Sequence, residues 1–438
     1  MQRNPTIALH TLGCKLNYAE TAMIGRQFVE RGFNVVAHPR ADVAVINTCS
    51  VTARAEQECR QLIRRTLRKS PNTVVIVTGC YAQLQPEEVA SLDGVDIVLG
   101  AKEKLKLFDY VKSFDKQAST RVFVSDIESV NDFGPAFSSD AADRTRAFLK
   151  IQDGCDFNCS FCTIPLARGA SRSQSVSDCV AQAATLVAQG YKEIVLTGVN
   201  VGDYGKKTGS SLLDLLRHLV RVDGLQRIRI SSIEPNLLSP ELLEFIASHP
   251  TLCRHLHVPL QSGHDDILKF MRRRYTTRFY RDLMTRVKER IPECGIGVDV
   301  IVGFPGETDS HFDATFKFLS DLPVSYLHVF TYSERPNTPA AKFARAVEPG
   351  IRYARNRKLR ILSQKKKRAF YEGIVGKTVS LLLEGRVEQG IRYGLTDNYV
   401  KVGIPAEATA ANAIVTAYIL GARDEACVGR IERKAMVA

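Results

Sequence analysis

The feature that most constrains this chain is a repeated alternation of short apolar runs with stretches of helical periodicity. Apolar runs fall at residues 6–12, 43–46, 74–78 and 95–99, with helical stretches reaching residue 31, spanning 53–69, and following each later run. Short apolar runs bounded by turns read as strands buried on both faces, and strands alternating with helices build a parallel sheet. The pattern lapses over residues 126–143, a polar stretch holding Gly134-Pro135 and Ser138-Ser139 that reads as a linker. It resumes with strands expected at 147–151, 193–197, 227–230, 255–258, 298–302 and 326–331, and with helices between them, as at 177–189 and 309–322. Units of this kind in series suggest an open or partial (βα) barrel.

A highly charged stretch, residues 351–371, reads as a long helix, and period-two runs at 379–383 and 399–402 then announce a small all-β module. The expected class is α/β: an N-terminal open parallel sheet (1–125), the linker (126–143), a central partial (βα)6 barrel (144–371) and a small C-terminal β-barrel (372–438).

The chain's 438 residues carry 60 Lys and Arg against 47 Asp and Glu, a formal charge of +13. An excess of that size attracts polyanions, of which nucleic acid is the commonest in the cytosol. No apolar run approaches the roughly 20 residues that span a bilayer, and the opening Met-Gln-Arg-Asn-Pro lacks a signal-peptide pattern. A cytoplasmic protein with no membrane partner is expected. In that compartment 11 cysteines point to metal ligation or redox chemistry rather than disulfides.

Cys155, Cys159 and Cys162 form a C-x3-C-x2-C motif just after the first strand of the barrel. Three thiolates on one loop can hold three irons of a [4Fe–4S] cluster and leave the fourth open to a chelating cosubstrate. A structural zinc site needs a fourth Cys or His nearby, which this loop lacks. Cys14, Cys49 and Cys80 are distant in sequence, yet each lies just beyond the C-terminal end of an expected parallel strand. Such ends converge on one crevice, so these three can hold a second cluster with its own open iron. Cys59, Cys179, Cys253, Cys294 and Cys427 fit no such loop and read as packing residues, and His255 and His257 as core or rim histidines.

The C-x3-C-x2-C loop with Phe161 before its last cysteine resembles the radical S-adenosylmethionine (SAM) superfamily. Thr11-Leu-Gly-Cys-Lys-Leu-Asn17, Asn47-Thr-Cys-Ser-Val-Thr52 and Gly79-Cys-Tyr-Ala-Gln83 resemble the N-terminal domain of that superfamily's methylthiotransferases. The likeness continues through Gln152-Asp-Gly-Cys155, Ala167-Arg-Gly169, Leu196 to Tyr204, Ser231 to Pro235, Pro259 to Gly263 and Gly303 to Thr308. Gly394 to Val402 resembles the TRAM module, a small β-barrel associated with RNA.

The resemblance implies two [4Fe–4S] clusters, an auxiliary one on Cys14, Cys49 and Cys80 and a radical SAM one on Cys155, Cys159 and Cys162, with SAM as cosubstrate. It implies SAM contacts at Phe161, Gly198, Asn200, Ser232, Glu234, Gln261, Ile301 and Gly303. Within the family, Gly-Cys-Lys-Leu-Asn together with Gln-Asp-Gly-Cys is similar to the branch adding a methylthio group to C2 of N6-threonylcarbamoyladenosine at tRNA position 37. An electron donor such as flavodoxin or ferredoxin and a sulfur source are then also expected. Methylthiotransferases of isopentenyladenosine 37 or of a ribosomal protein side chain are the alternatives, and an iron–sulfur RNA-binding or redox-sensing protein is the non-enzymatic one. Arg272, Arg273, Arg274, Lys365, Lys366, Lys367 and Arg368 are basic clusters expected to contact RNA phosphates.

Overall fold

The computed structural model describes residues 3–37, 41–117, 119–138, 145–408 and 410–432. Six parallel strands form the first sheet, in the order Asn34–Val35, Thr6–Thr11, Val43–Thr48, Val74–Gly79, Ile97–Leu99, Arg121–Phe123. Every residue of Val43–Thr48 and Val74–Gly79 is buried, as expected for central strands covered on both faces. The Ala53–Lys69 helix buries Glu56, Cys59, Leu62, Ile63 and Thr66, a single helical face, and starts where Thr52 accepts from the Ala55 N–H.

Two three-stranded parallel sheets follow. One runs Arg227–Ile230, Glu193–Thr197, Arg146–Lys150, and the other His255–His257, Gly295–Val302, Tyr326–Thr331. Bridges Ile228–Leu252 and Ser232–His257 join them edge to edge, giving a six-stranded partial barrel. Its outer face packs under helices through one apolar cluster that includes Leu149, Leu196, Ile228, Leu256, Val298 and Leu327. Because side chains alternate along strands, Phe148, Val195, Arg229, His257, Asp299 and His328 face the lumen.

The 24-residue helix Pro349–Glu372 leads to a closed barrel of strands Thr378–Glu388, Ile391–Thr396, Lys401–Pro405, Cys427–Ile431 and Ile414–Ala422. Arg227 and Arg229 of the central barrel donate to carbonyls of this module, Leu395 at 2.9 Å and Asp397 at 2.8 Å, so the small barrel stops the lumen at one end.

The stretch expected to be a linker is more ordered than its composition suggests over its described residues 126–138. Arg26 donates to the Phe137 carbonyl at 2.6 Å, Lys150 donates to those of Phe133 and Gly134, and Val130 and Ala136 are buried. Polar composition hid this, because the anchoring runs through its backbone carbonyls. No described helix is long and apolar enough to cross a membrane.

Candidate active site

Three adjacent strands of the first sheet end in cysteine-bearing loops. Cys14 is the N-cap of the Lys15–Val29 helix, Cys49 follows Val43–Thr48, and Cys80 opens the Cys80–Leu84 helix. A Cβ on Gly13 would lie 2.7 Å from the Cys49 Cβ, and Gly13 has φ 103°, so only glycine lets these two loops meet. Asn17 ties them further, donating to the Leu12 and Thr48 carbonyls at 2.9 Å while its Oδ1 accepts from Cys14 Sγ at 3.8 Å. Burial, then the neighbouring Cys80 and Cys14, push the Cys49 thiol up to about 12, and burial raises Cys80. Three soft donors held within mutual electrostatic reach, which bind metal only by releasing protons, suit an iron–sulfur cluster.

The second set lies at the mouth of the barrel. Backbone bonds from Cys155 N to Gly169 O (3.0 Å) and from Cys162 N to Cys159 O (3.2 Å) curl the loop, and its three thiols lie within electrostatic reach of one another. Burial pushes Cys155 and Cys162 up to about 12 and also raises Cys159, opposed there by Arg273, whose Nη1 donates to Cys159 Sγ at 3.0 Å. Arg273 also pairs with Glu234, and its side chain is only 3% exposed. Its expected role as a phosphate contact is therefore corrected: it is a buried donor to the Cys159 sulfur.

A cleft runs between the two sets. Val51 and Thr52, just past Cys49, line one side, Phe161 and Cys162 another, and Gln261, Asp299, Ile301 and Phe330 continue it into the lumen. Among the eight residues expected at SAM, Phe161, Gln261 and Ile301 line this cleft. Asn200 and Gln261 keep buried side-chain atoms, Nδ2 and Oε1, without a partner, which suits an absent polar ligand. Ser232 is engaged by His257 at 2.7 Å and Glu234 by Arg273. Gly198 and Gly303 are packed, since a Cβ would lie 2.8 Å from Gln152 Oε1 and 2.3 Å from Arg352 Cγ.

A buried charge network joins the two cysteine sets. Glu20 meets Lys104 at 2.7 Å, Arg168 at 3.0 Å and Lys150 at 3.3 Å, while Asp153 meets Lys150 at 2.7 Å and Arg168 at 2.9 Å. Arg168 also donates to Asn17 Oδ1 at 2.5 Å, linking the loop after Cys162 to the turn that carries Cys14.

Residues 149–319 match the Radical SAM superfamily, and residues 6–100 match "Uncharacterized protein family UPF0004". The chain is 41% identical over 408 residues to "Threonylcarbamoyladenosine tRNA methylthiotransferase MtaB" of Bacillus subtilis, covering 91% of this chain and 90% of that protein. The chain belongs to the radical SAM methylthiotransferases. The Aquifex aeolicus protein of the same name is 38% identical, covering 90% of this chain and 96% of that one. A "tRNA-2-methylthio-N(6)-dimethylallyladenosine synthase" of Methylobacillus flagellatus is 32% identical, covering 97% and 98%. Among solved structures, the radical SAM methyltransferase TsrM of Kitasatospora setae shares the fold, with TM-score 0.58 and 16% identity over 94% of this chain and 84% of that one. As a radical SAM enzyme, this methylthiotransferase uses a [4Fe–4S] cluster and SAM.

The basic clusters of the methylthiotransferase fall into two kinds, exposed and engaged. Arg272, Arg274 and Lys365 are exposed. Lys367 and Arg368 pair with Glu425 and Asp424 of the small barrel, at 3.6 and 3.4 Å. Lys366 donates to the carbonyls of Ser320 and Leu322 at 3.0 and 2.8 Å, closing a helix C-terminus. Its expected RNA contact is corrected accordingly, because its ammonium is spent on the protein. Sequence reasoning missed Lys15, Asn17, Glu20 and Lys104 altogether. Glu20 carried a signal, as a carboxylate on the helical face of Leu16, Ala19 and Ile24, which only buried cations could satisfy.

Proposed function

We propose that the chain adds a methylthio group to C2 of N6-threonylcarbamoyladenosine at position 37 of tRNA. The observation that carries this reading is the single cleft lined both by residues following Cys49 and by Cys162. Relatives at 36–41% identity named threonylcarbamoyladenosine tRNA methylthiotransferase support the substrate. Two [4Fe–4S] clusters, one on Cys14, Cys49 and Cys80 and one on Cys155, Cys159 and Cys162, supply a sulfur-carrying site and, with SAM, the radical that activates the C–H bond.

The chain's own residues do the rest. Phe161 and Ile301 present apolar walls for an adenine, and Gln261 offers an unpartnered amide oxygen in the same cleft. Arg272, Arg274 and Lys365 lie exposed for phosphates, which position the RNA without reading its bases. A base in an anticodon loop is already unpaired and cheap to unstack into such a cleft. In this reading the small barrel adds RNA binding, and an electron donor of the flavodoxin or ferredoxin kind and a sulfur source complete the reaction.

The test is anaerobic incubation of reconstituted protein with SAM, reductant, sulfide and tRNA, followed by nucleoside mass analysis. A mass gain matching methylthio in place of hydrogen on threonylcarbamoyladenosine is expected. Modification of dimethylallyladenosine alone would reject the substrate.

A further inference from the structure

Lys15 has no local reason to be where it is. It is the first residue of the Lys15–Val29 helix, whose first turn contains no acid, and a cation there opposes the helix dipole. Among the described residues its ammonium has no hydrogen bond or ion pair. Its position three and four residues before Tyr18 and Ala19 puts all three on one helical face. That face closes the open side of the barrel: the Tyr18 ring meets the lumen residue Phe148 at 6.2 Å, and Ala19 packs with Phe148 and Val195.

The Lys15 charge accordingly acts on His255, His328 and Tyr399, all of which face the lumen or its floor. Burial lowers its ammonium from the ordinary lysine value, yet Lys15, His328 and Phe330 keep accessible surface. Tyr399 and Glu193 act on it from a distance, and Glu193 is already bound to Arg229 at 2.7 Å. Asp299, at the junction of lumen and cleft, is bound by His257 at 2.9 Å. What remains is an unpaired cation one residue from Cys14, whose charge reaches His328, a neighbour within 4.8 Å of the cleft residue Asp299.

We propose that Lys15 selects the substrate by pairing with the carboxylate of the threonylcarbamoyl group. This rests on the functional reading above and adds the residue that reads the substituent. A dimethylallyl group is a neutral hydrocarbon and gains nothing from an ammonium, whereas a threonine joined through a urea to N6 always presents an anion at neutral pH. A charge-assisted hydrogen bond in a confined site discriminates by about tenfold or more.

The experiment compares reconstituted wild type, Lys15→Met, Lys15→Gln and Lys15→Arg on anticodon stem-loops carrying threonylcarbamoyladenosine or its methyl ester. Iron content is measured for each. Wild type is expected to favour the acid over the ester by about tenfold or more in kcat/KM. Lys15→Met and Lys15→Gln are expected to lose that preference through a raised KM for the acid, and Lys15→Arg to keep it. Equal use of acid and ester by wild type overturns the proposal, and this arm needs no variant to fold. So does a preference that survives in an iron-replete Lys15→Met or Lys15→Gln protein, or a defect in KM for SAM rather than for RNA. If wild type modifies dimethylallyl RNA but neither of these substrates, the functional reading itself fails.

Discussion

Arg168 and Glu20 meet at 3.0 Å across the junction of the first sheet and the barrel, with side chains 2% and 0% exposed. Burial alone would raise the Glu20 carboxyl, but Arg168, Lys104 and Lys150 outweigh it and hold it well below the carboxylate range. Removing one partner strands the other charge without water. Arg168→Met is expected to cost about 3–5 kcal/mol in denaturant unfolding, and the double variant with Glu20→Leu less than the sum of the singles. A depressed carboxyl gives stability that is fully present above its unfolded value, near 4.5, and lost as pH falls below it. Wild type should therefore lose stability on acidification more steeply than the double variant.

Cluster loading should be proton-linked. Cys155 and Cys162 sit near 12 without metal, so each must give up a proton to bind iron at neutral pH. Iron affinity should rise with pH across the range from 7 to 9, and anaerobic loading in weak buffer should release protons. Loading without proton release contradicts buried, protonated thiols.

Arg273 should tune a cluster rather than bind RNA. Its bond to Cys159 Sγ withdraws charge from a sulfur proposed to ligate the cluster. Arg273→Gln is expected to make the potential of the Cys155, Cys159 and Cys162 cluster more negative in a titration followed by electron paramagnetic resonance. Affinity for tRNA should change little.

Arg272, Arg274 and Lys365 should carry the opposite signature. Alanine at each is expected to weaken tRNA binding across sequences and to reduce the log–log salt slope by roughly 0.7–0.9. Lys366→Ala should leave the slope unchanged while lowering thermal stability, since its ammonium caps a helix.

The contrast between these residues shows what was legible in the sequence. The central strands and the helices were, because buried strands such as Val74–Gly79 are mostly apolar and helices such as Ala53–Lys69 repeat their buried positions, whereas the edge strands Asn34–Val35 and Arg121–Phe123 are exposed or half-buried and left no such run. Cysteine spacing made both loops visible, since one is a local motif and the other recurs at successive strand ends. Arg273 was not legible: its partner Glu234 lies 39 residues away and Cys159 114 residues away, so only the closed barrel shows that a run of three arginines splits into two exposed and one buried. Lys15 was hidden for the same reason, as its surroundings form only when the first helix docks on strands more than a hundred residues later. Over residues 126–138 of the expected linker the anchoring runs through backbone carbonyls, which leave no mark on composition.

The most direct measurement follows two products in one reaction, 5′-deoxyadenosine and the methylthiolated nucleoside, for wild type and Cys49→Ala on tRNA bearing threonylcarbamoyladenosine. Wild type should form both. Cys49→Ala, with the Cys155, Cys159 and Cys162 loop intact, should still cleave SAM but form no methylthio nucleoside. Methylthiolation by Cys49→Ala at the wild-type rate would contradict a sulfur-carrying site on the first sheet, and its absence from wild type would contradict the account as a whole.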